Sequence, residues 1–418
     1  MTKLPPGWAE ISLEDLAAPV PRSITDGPFG SNLKTEHYTA DGPRVIRLQN
    51  IGEGKFCDDR SHISEERYQR LRAHDVQPGD VLVAALGEVL PKACTAPSWL
   101  GPAIVKADCF RFRFRSDVNP YFVVAMLNSP QIRSVASAQI AGVGRPRLNL
   151  GKVRKLSIPL PPRGQQDRIV AAIEEHFSRL DSADLSLRTC LRHAERLRRS
   201  ILVDAFRGEW PSRPIGELAL VGSGATPKRG KADYYKGGTI PWVTSAKLLG
   251  KFVTEPTGFI TDRALKETSV RLWPAHTLLV AMYGEGRTRG HCSELLFEST
   301  TNQACAAILI QAGHLVSRSF LKLFFAVSYE ANRRLSSGGV QPNLSLGVIR
   351  SLRVPLPPRP VQDEIVERVE QELSLIESLV IATESALARS KGLRRSILNC
   401  AFAGELVPLH HHRPKEVA

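Results

Sequence analysis

From about Gln166 to Phe206 the apolar positions advance by alternating steps of three and four: Val170, Ile173, Phe177 and Leu180, then Leu187, Leu191 and Ala194. That spacing keeps one stripe of a helix apolar for many turns, the seam of a coiled coil. Some 40 residues of helix run roughly 60 Å at 1.5 Å per residue. The stripe returns at Val366, Val369, Leu373, Ile376, Val380 and Leu387. Asp184 interrupts the first seam where the second has Val380, a polar break suited to fixing register. Toward the ends both stripes shift to Leu197/Ile201 and Leu393/Ile397. Pro161-Pro162 and Pro357-Pro358 precede the two helices, where proline is tolerated, and Gly208 and Gly404 supply stops.

The two helices are copies. PLPPRGQQDRIV begins at 159 and PLPPRPVQDEIV at 355, an offset of 355 − 159 = 196. At that offset Pro146–Trp210 aligns with Pro342–Leu406 without a gap, ending on ERLRRSILVDAFRGE and KGLRRSILNCAFAGE. Such agreement at one internal period marks a tandem duplication. Upstream the copies agree weakly, as in VLVAALGE (81–88) against LLVAMYGE (278–285), now offset by 197. The chain therefore reads as a variable block 1–150, a repeated block 151–210, a variable block 211–346, a repeated block 347–408 and a tail 409–418. Blocks held alike do one job twice; blocks that diverged face different targets. A two-fold relation between halves favours antiparallel pairing of the helices. A coiled coil serving only dimerisation is the plainer alternative.

The variable blocks mix strands, Gly/Pro turns and short helices, so the fold class is α+β: two mixed globular domains joined by two long antiparallel helices. In the first block GPFGSNLKTEHY carries Ser31, Asn32 and Lys34, and PRVIRLQNI offers Arg44, Arg47, Gln49 and Asn50. In the second, GSGATPKRGKADYY carries Lys228, Arg229 and Lys231, followed by Thr244, Ser245 and Lys247, then Tyr283, Arg287 and Arg289. Arginine bonds guanine bidentately, Asn or Gln bonds adenine, and lysine holds phosphate. Arg145 and Arg147, in a Gly-rich stretch ahead of the first repeat, suit phosphate equally well as they suit a hinge. For any one of these residues a solvated surface role stands beside the base contact. The helix positions expected to pair or to dock partners are Val170, Ile173, Phe177, Leu180, Leu197, Ile201, Val366, Val369, Leu373, Ile376, Leu393 and Ile397.

Composition sharpens the partner. A formal charge of +14 over 418 residues suits a polyanion, nucleic acid first. No apolar run approaches the roughly 18 residues of a membrane span, and MTKLPPGWAE has no apolar signal core, so a cytoplasmic protein is expected. The seven cysteines are scattered and form no CxxC pair, which argues for reduced thiols and against a zinc site. The His410–His412 run reads as a solvated tail. A GxxxxGK[ST] loop is absent, GEGRTRG has the wrong spacing for a dinucleotide fingerprint, and Asn119-Pro120-Tyr121-Phe122 lacks the second proline of an amino-methyltransferase motif. That run reads as a packed helix. The residues give no catalytic site.

The duplicated PLPP-x3-QD-x-IV and LRRSIL-x2-AF-x-GE signatures resemble the specificity subunit of type I restriction–modification enzymes. DGPFGSNLK, GATPKRG, IPWVTSAKL, YGEG and TTNQACAAI in the variable blocks strengthen the likeness. The resemblance implies that each variable block is a target-recognition domain for one half of a split double-stranded DNA site, read in the major groove. It implies that the helices set the unread spacer and dock two methyltransferase subunits, which methylate adenine and bring in motor–nuclease restriction subunits. S-adenosylmethionine, ATP and Mg²⁺ then belong to those partners, with no cofactor or metal on this non-catalytic chain. A coiled-coil assembly protein that binds DNA without reading sequence is the competing class; an autonomous methyltransferase is a third.

Overall fold

A computed structural model describes residues 4–138, 146–283, 289–335 and 344–407. It divides into two compact units. One takes the chain through Leu187 together with the segment from Ser385 onward; the other is Arg188–Glu384.

In the first unit, an antiparallel sheet has the order Ile24–Asp26, Cys109–Phe112, Val81–Ala84, Lys92–Thr95. A smaller sheet orders His62–Ile63, Tyr38–Ile46, Ala103–Val105 and Asp75–Val76, its two middle strands parallel. The run Val-Leu-Val-Ala (81–84) is apolar throughout because its strand is covered on both faces. Val81 and Val83 join the core formed with the Pro120–Leu127 helix, while Leu82 and Ala84 pack with Ile46, Ile51 and Val105. That helix is the packed run expected from Asn119-Pro120-Tyr121-Phe122: Asn119 caps it by accepting from Tyr121 and Phe122 N–H, and Phe122 and Val123 are fully buried.

The second unit repeats the plan. Its larger sheet orders Ala219–Ser223, Cys305–Ile310, Leu278–Ala281, Cys292–Leu295 and Phe252–Val253. Leu278 and Val280 face one core, Leu279 and Ala281 the other. A smaller sheet orders Gly258–Ile260, Ile240–Val243, Ser299–Thr301 and Leu272–Trp273.

The long helices are Arg163–Asp204 and Arg359–Phe402, starting directly after the proline pairs. At 42 residues the first is roughly 63 Å long. The repeated Gln of each QD is a buried clamp. Gln166 donates to Pro161 O (2.9 Å) and accepts from Asn119 N–H (2.7 Å). Gln362 donates to Pro357 O (2.8 Å) and Leu315 O (2.7 Å) and accepts from Ser317 N–H (2.9 Å). Each helix is thereby fastened to the domain before it.

Within each unit the helix segments run antiparallel. In the first, Ile169, Val170 and Ile173 share a core with Leu398, Ala401 and Phe402, and farther along Arg394 reaches Asp181 (2.7 Å) and Asp184 (3.3 Å). In the second, Ile201 and Ala205 share a core with Ile365, Val366, Val369 and Leu373. Asp184 therefore does more than interrupt a seam; it faces an arginine there. Phe402 also packs edge-on against Phe122 at 5.6 Å, so the end of the second helix completes the first unit's core. Two expected seam residues lie elsewhere. Leu197 and Leu393 are 53% and 52% exposed; in the second helix the three-four count from Leu387 through buried Ser390 puts Arg394, which faces Asp181 and Asp184, on the seam in place of Leu393. Ile376 is buried, and Phe177, Leu180 and Ile397 are half-buried.

Candidate nucleic-acid interface

Strand register gathers the sequence-flagged loops at one end of each larger sheet. Asp26 pairs with Phe110 and Ala84 with Cys109, so the GPFG loop, the turn before Cys109 and the segment after Ala84 emerge together. Residues 146–148 return alongside: Leu148 N–H donates to Ala85 O (2.9 Å), and Leu86 bridges Arg147. In the second unit Ser223 pairs with Ala306 and Ala281 with Cys305, bringing together the Gly224–Gly230 loop, the turn before Cys305 and Tyr283. Leu344 N–H donates to Met282 O (3.1 Å), matching the return in the first unit.

Two glycines explain how tightly these loops sit. A Cβ on Gly27 would come within 2.0 Å of the Lys106 carbonyl carbon, and one on Gly224 within 1.7 Å of Thr301 O. Only glycine permits that approach. The smaller sheets deliver further residues: Lys106 N–H bonds Ile46 O (2.8 Å) and Asn302 N–H bonds Val243 O (3.0 Å), which sets Arg47 and Thr244 beside the turns.

The expected side chains separate into two groups. Asn50 is fully buried, donates to Cys57 O (2.8 Å) and Asp59 O (2.7 Å), and accepts from Arg47 N–H. It shapes the loop and presents no face to a ligand. Arg44 is likewise spent: its side chain is 10% exposed and holds Asp58 at 2.7 Å. Hydrogen bonds from Arg44 and then Arg60 hold the Asp58 carboxyl below its ordinary range. Lys231 bonds Glu267 (2.7 Å) and the Tyr234 hydroxyl (3.0 Å), and with Arg263 it pulls the Glu267 carboxyl down to about 2. Lys247 pairs with Glu255, and Thr244 meets Thr257 at 3.1 Å. Arg47 pairs with Asp59, and exposed Gln49 lies against that guanidinium. Lys34 lies 3.6 Å from Glu36 on an exposed turn with Asn32.

Lys228 and Arg229 are exposed and have no ion-pair partner among the described residues. Tyr283 is 38% exposed, and Ser245 and Arg289 are half-buried. Arg147 is half-exposed, lies 2.6 Å from Asp108 and stands over the Phe29 ring at 5.9 Å. Arg145 and Arg287, and the side chain of Ser31, lie outside the described residues. Phe29, Thr226 and Gln303, inside the stretches GPFGSNLKTEHY, GATPKRG and TTNQACAAI, and Asp108, in the turn before Cys109, lie at the same sheet ends without having been singled out. Their signal was the short glycine loop followed, far along the chain, by a turn ahead of Cys109 or Cys305.

Among the described residues no cluster of His, Cys, Asp or Glu could hold a metal ion, and no helix is long and apolar enough to cross a membrane.

Comparison with known proteins follows this geometry closely. Residues 207–379 match the family model described as the type I restriction modification DNA specificity domain. The StySPI specificity subunit of Salmonella potsdam is 21% identical, the match covering 97% of this chain and 90% of that protein. The EcoKI specificity subunit of Escherichia coli K12 is 22% identical over the same shares. Along nearly its whole length the chain is similar to type I specificity subunits. The HsdS subunit from Thermoanaerobacter tengcongensis shares its fold at a TM-score of 0.63, with 19% identity and coverage of 96% and 98%. A chain from a structure of the type I R-M system in complex assembly and conformational transition gives 0.76, with 20% identity and coverage of 97% and 100%. The matched stretch spans the second variable domain and the first part of the helix after it, and the internal repeat carries the same plan into the first half.

Proposed function

We propose that each variable domain reads one half of an asymmetric, bipartite DNA site through the loops at its sheet end, in the major groove. The observation that carries this reading is one loop frame built twice, with different side chains on each copy. Lys228 and Arg229, exposed and uncommitted, are the phosphate contacts of the second domain; Arg147 and Arg47 lie at the corresponding end of the first. The paired helices set the unread spacer between the half-sites. Their repeated outer surfaces dock two methyltransferase subunits, with Leu197 and Leu393 as equivalent apolar positions in identical LRRSIL segments. Those subunits supply S-adenosylmethionine and methylate adenine, and through them the motor–nuclease subunits bring ATP and Mg²⁺. Methylation inside a duplex requires base flipping, to which this chain contributes position.

The test is modified-base sequencing of cells expressing the chain, with its methyltransferase partner, as wild type and as Lys228→Ala/Arg229→Ala. The variant is expected to weaken methylation through one half-site and to reduce the salt dependence of binding by about one charge per lost contact. A methylome unchanged in motif and extent rejects the assignment of that loop.

A further inference from the structure

We infer that His276, Arg318 and Arg359 of the second unit form an oxyanion site that takes the phosphoryl group of a small molecule, independent of the loops proposed to read DNA. The three residues line a cleft of about 430 Å³ whose walls include Leu309 and Val316, and Asp363 adds a carboxylate there.

Strand register sets this cleft apart from those loops. Ile310 ends the strand that starts at Cys305, and His276 precedes the strand Leu278–Ala281. Leu278 pairs with Ile308 and Ala281 with Cys305, so the cleft and the Gly224–Gly230 loop lie at opposite ends of one sheet.

The turn that carries His276 has a counterpart in the first unit. Thr277 N–H donates to Pro274 O (3.4 Å), as Asp80 N–H donates to Gln77 O (3.1 Å). The third residue of each turn is left-handed, Gly79 with φ 85° and His276 with φ 67°. Glycine takes that conformation freely and histidine takes it at a cost, which the imidazole's contacts must offset. His276 Nδ1 lies 2.9 Å from Glu294 Oε1, which leaves Nε2 for a ligand. Glu294 is buried and also lies 2.8 Å from Arg318 Nε and 3.2 Å from Lys322 Nζ. It therefore anchors His276 and Arg318 side by side, with the Arg318 side chain still 43% exposed.

Arg359 is the third donor. Its Nη1 donates to Gly313 O (2.6 Å), its Nη2 lies 3.6 Å from Asp363, and its buried Nε finds no acceptor among the described residues. The counterpart in the first helix, Arg163, satisfies both: Nη1 donates to Ser116 O (2.8 Å) and Nε to Asp167 (2.9 Å). A buried N–H without an acceptor is costly, the more so on a charged group, and a bound oxyanion supplies what Arg359 lacks. The donors come from a turn, from the start of the Arg318–Leu335 helix and from the start of the long helix. Three directions suit a tetrahedral phosphoryl group, whereas a planar carboxylate is matched by one guanidinium fork. The first unit has Gly79 and Pro120 at the places of His276 and Arg318, Asn119 and Ser317 being the residues that the repeated glutamines hold. Two of the three donors are thus peculiar to the second unit.

The experiment is isothermal titration calorimetry of the full chain with inorganic phosphate and with AMP. Wild type is expected to bind one equivalent saturably. His276→Gly and Arg318→Ala should each weaken binding roughly 10- to 150-fold, the range for a hydrogen bond to a charged group. His276→Gly also relieves the left-handed backbone, so it should melt no lower than wild type, and its loss of binding then reports the imidazole and not the fold. Lys236→Ala, which removes an exposed lysine outside the cleft, should bind as wild type does. AMP binding tighter than phosphate identifies a nucleotide as the source of the group; equal binding identifies the free oxyanion. No saturable binding to wild type, undiminished binding by His276→Gly or Arg318→Ala, or equal weakening by Lys236→Ala overturns the inference.

Discussion

Gln362 shows what a single side chain contributes to this architecture. Fully buried, it satisfies two carbonyls, Pro357 O and Leu315 O, and one amide, Ser317 N–H. Truncation leaves those groups without a partner, and an unpaired buried polar group costs about 1–3 kcal/mol. Gln362→Ala is therefore expected to destabilise the second unit by about 3 kcal/mol, read as an earlier denaturant transition. Gln166→Ala should do the same to the first unit. A change of only a few tenths would show that the clamp is ornamental. The repeated glutamine was plain in the sequence, but its partners, Asn119 and Ser317, were not, because they lie 47 and 45 residues upstream. The same limit explains Asn50 and Lys231. Residue type marks each as able to bond a base or a phosphate, and only the fold shows Asn50 spent on loop carbonyls and Lys231 on Glu267.

At the scale of elements the helices were the most legible part, since a three-four apolar count over 40 residues has few other readings. Their antiparallel direction followed from the two-fold relation between the halves, and the contacts bear it out: Arg394 against Asp181 and Asp184, and the Leu398–Phe402 end against Ile169–Ile173. The variable domains were less legible. Their strands are two to nine residues long and several are buried on both faces, so alternation, the usual strand signal, is missing from VLVA and LLVA. The helix pair invites a direct test. Adding seven residues after Leu180 lengthens one helix by two turns, and adding seven after Arg394, the facing position on the other, keeps the seams matched. The pair grows by roughly 10 Å, so the unread spacer is expected to lengthen by as much as about three base pairs at 3.4 Å each. Both half-sites should keep their bases. Modified-base sequencing that returned the original spacer would reject the ruler role while leaving the readers untouched.

For the whole molecule the decisive property is unlikeness within symmetry. A homodimer presents one reader twice, and its site is a palindrome. On the function proposed above, one chain carries two readers on a repeated plan, one with Phe29, Asp108 and Arg147 at its sheet end, the other with Thr226, Gln303, Lys228 and Arg229. On that proposal the net charge of +14 would supply affinity for any duplex, falling as salt rises whatever the sequence. Charge alone is the property that a non-reading, coiled-coil DNA-binding protein would share. The discriminating quantity is therefore the motif. Modified-base sequencing of cells carrying the wild-type chain and its partner should return two different half-sites separated by a gap of fixed length, with adenine methylated in each. A palindromic motif would mean that the two sheet ends read alike despite their different side chains. Duplex binding that is salt-sensitive but equal on every sequence, with no motif at all, would return the protein to the class of basic assembly factors, its repeated helices intact and its loops without a message to read.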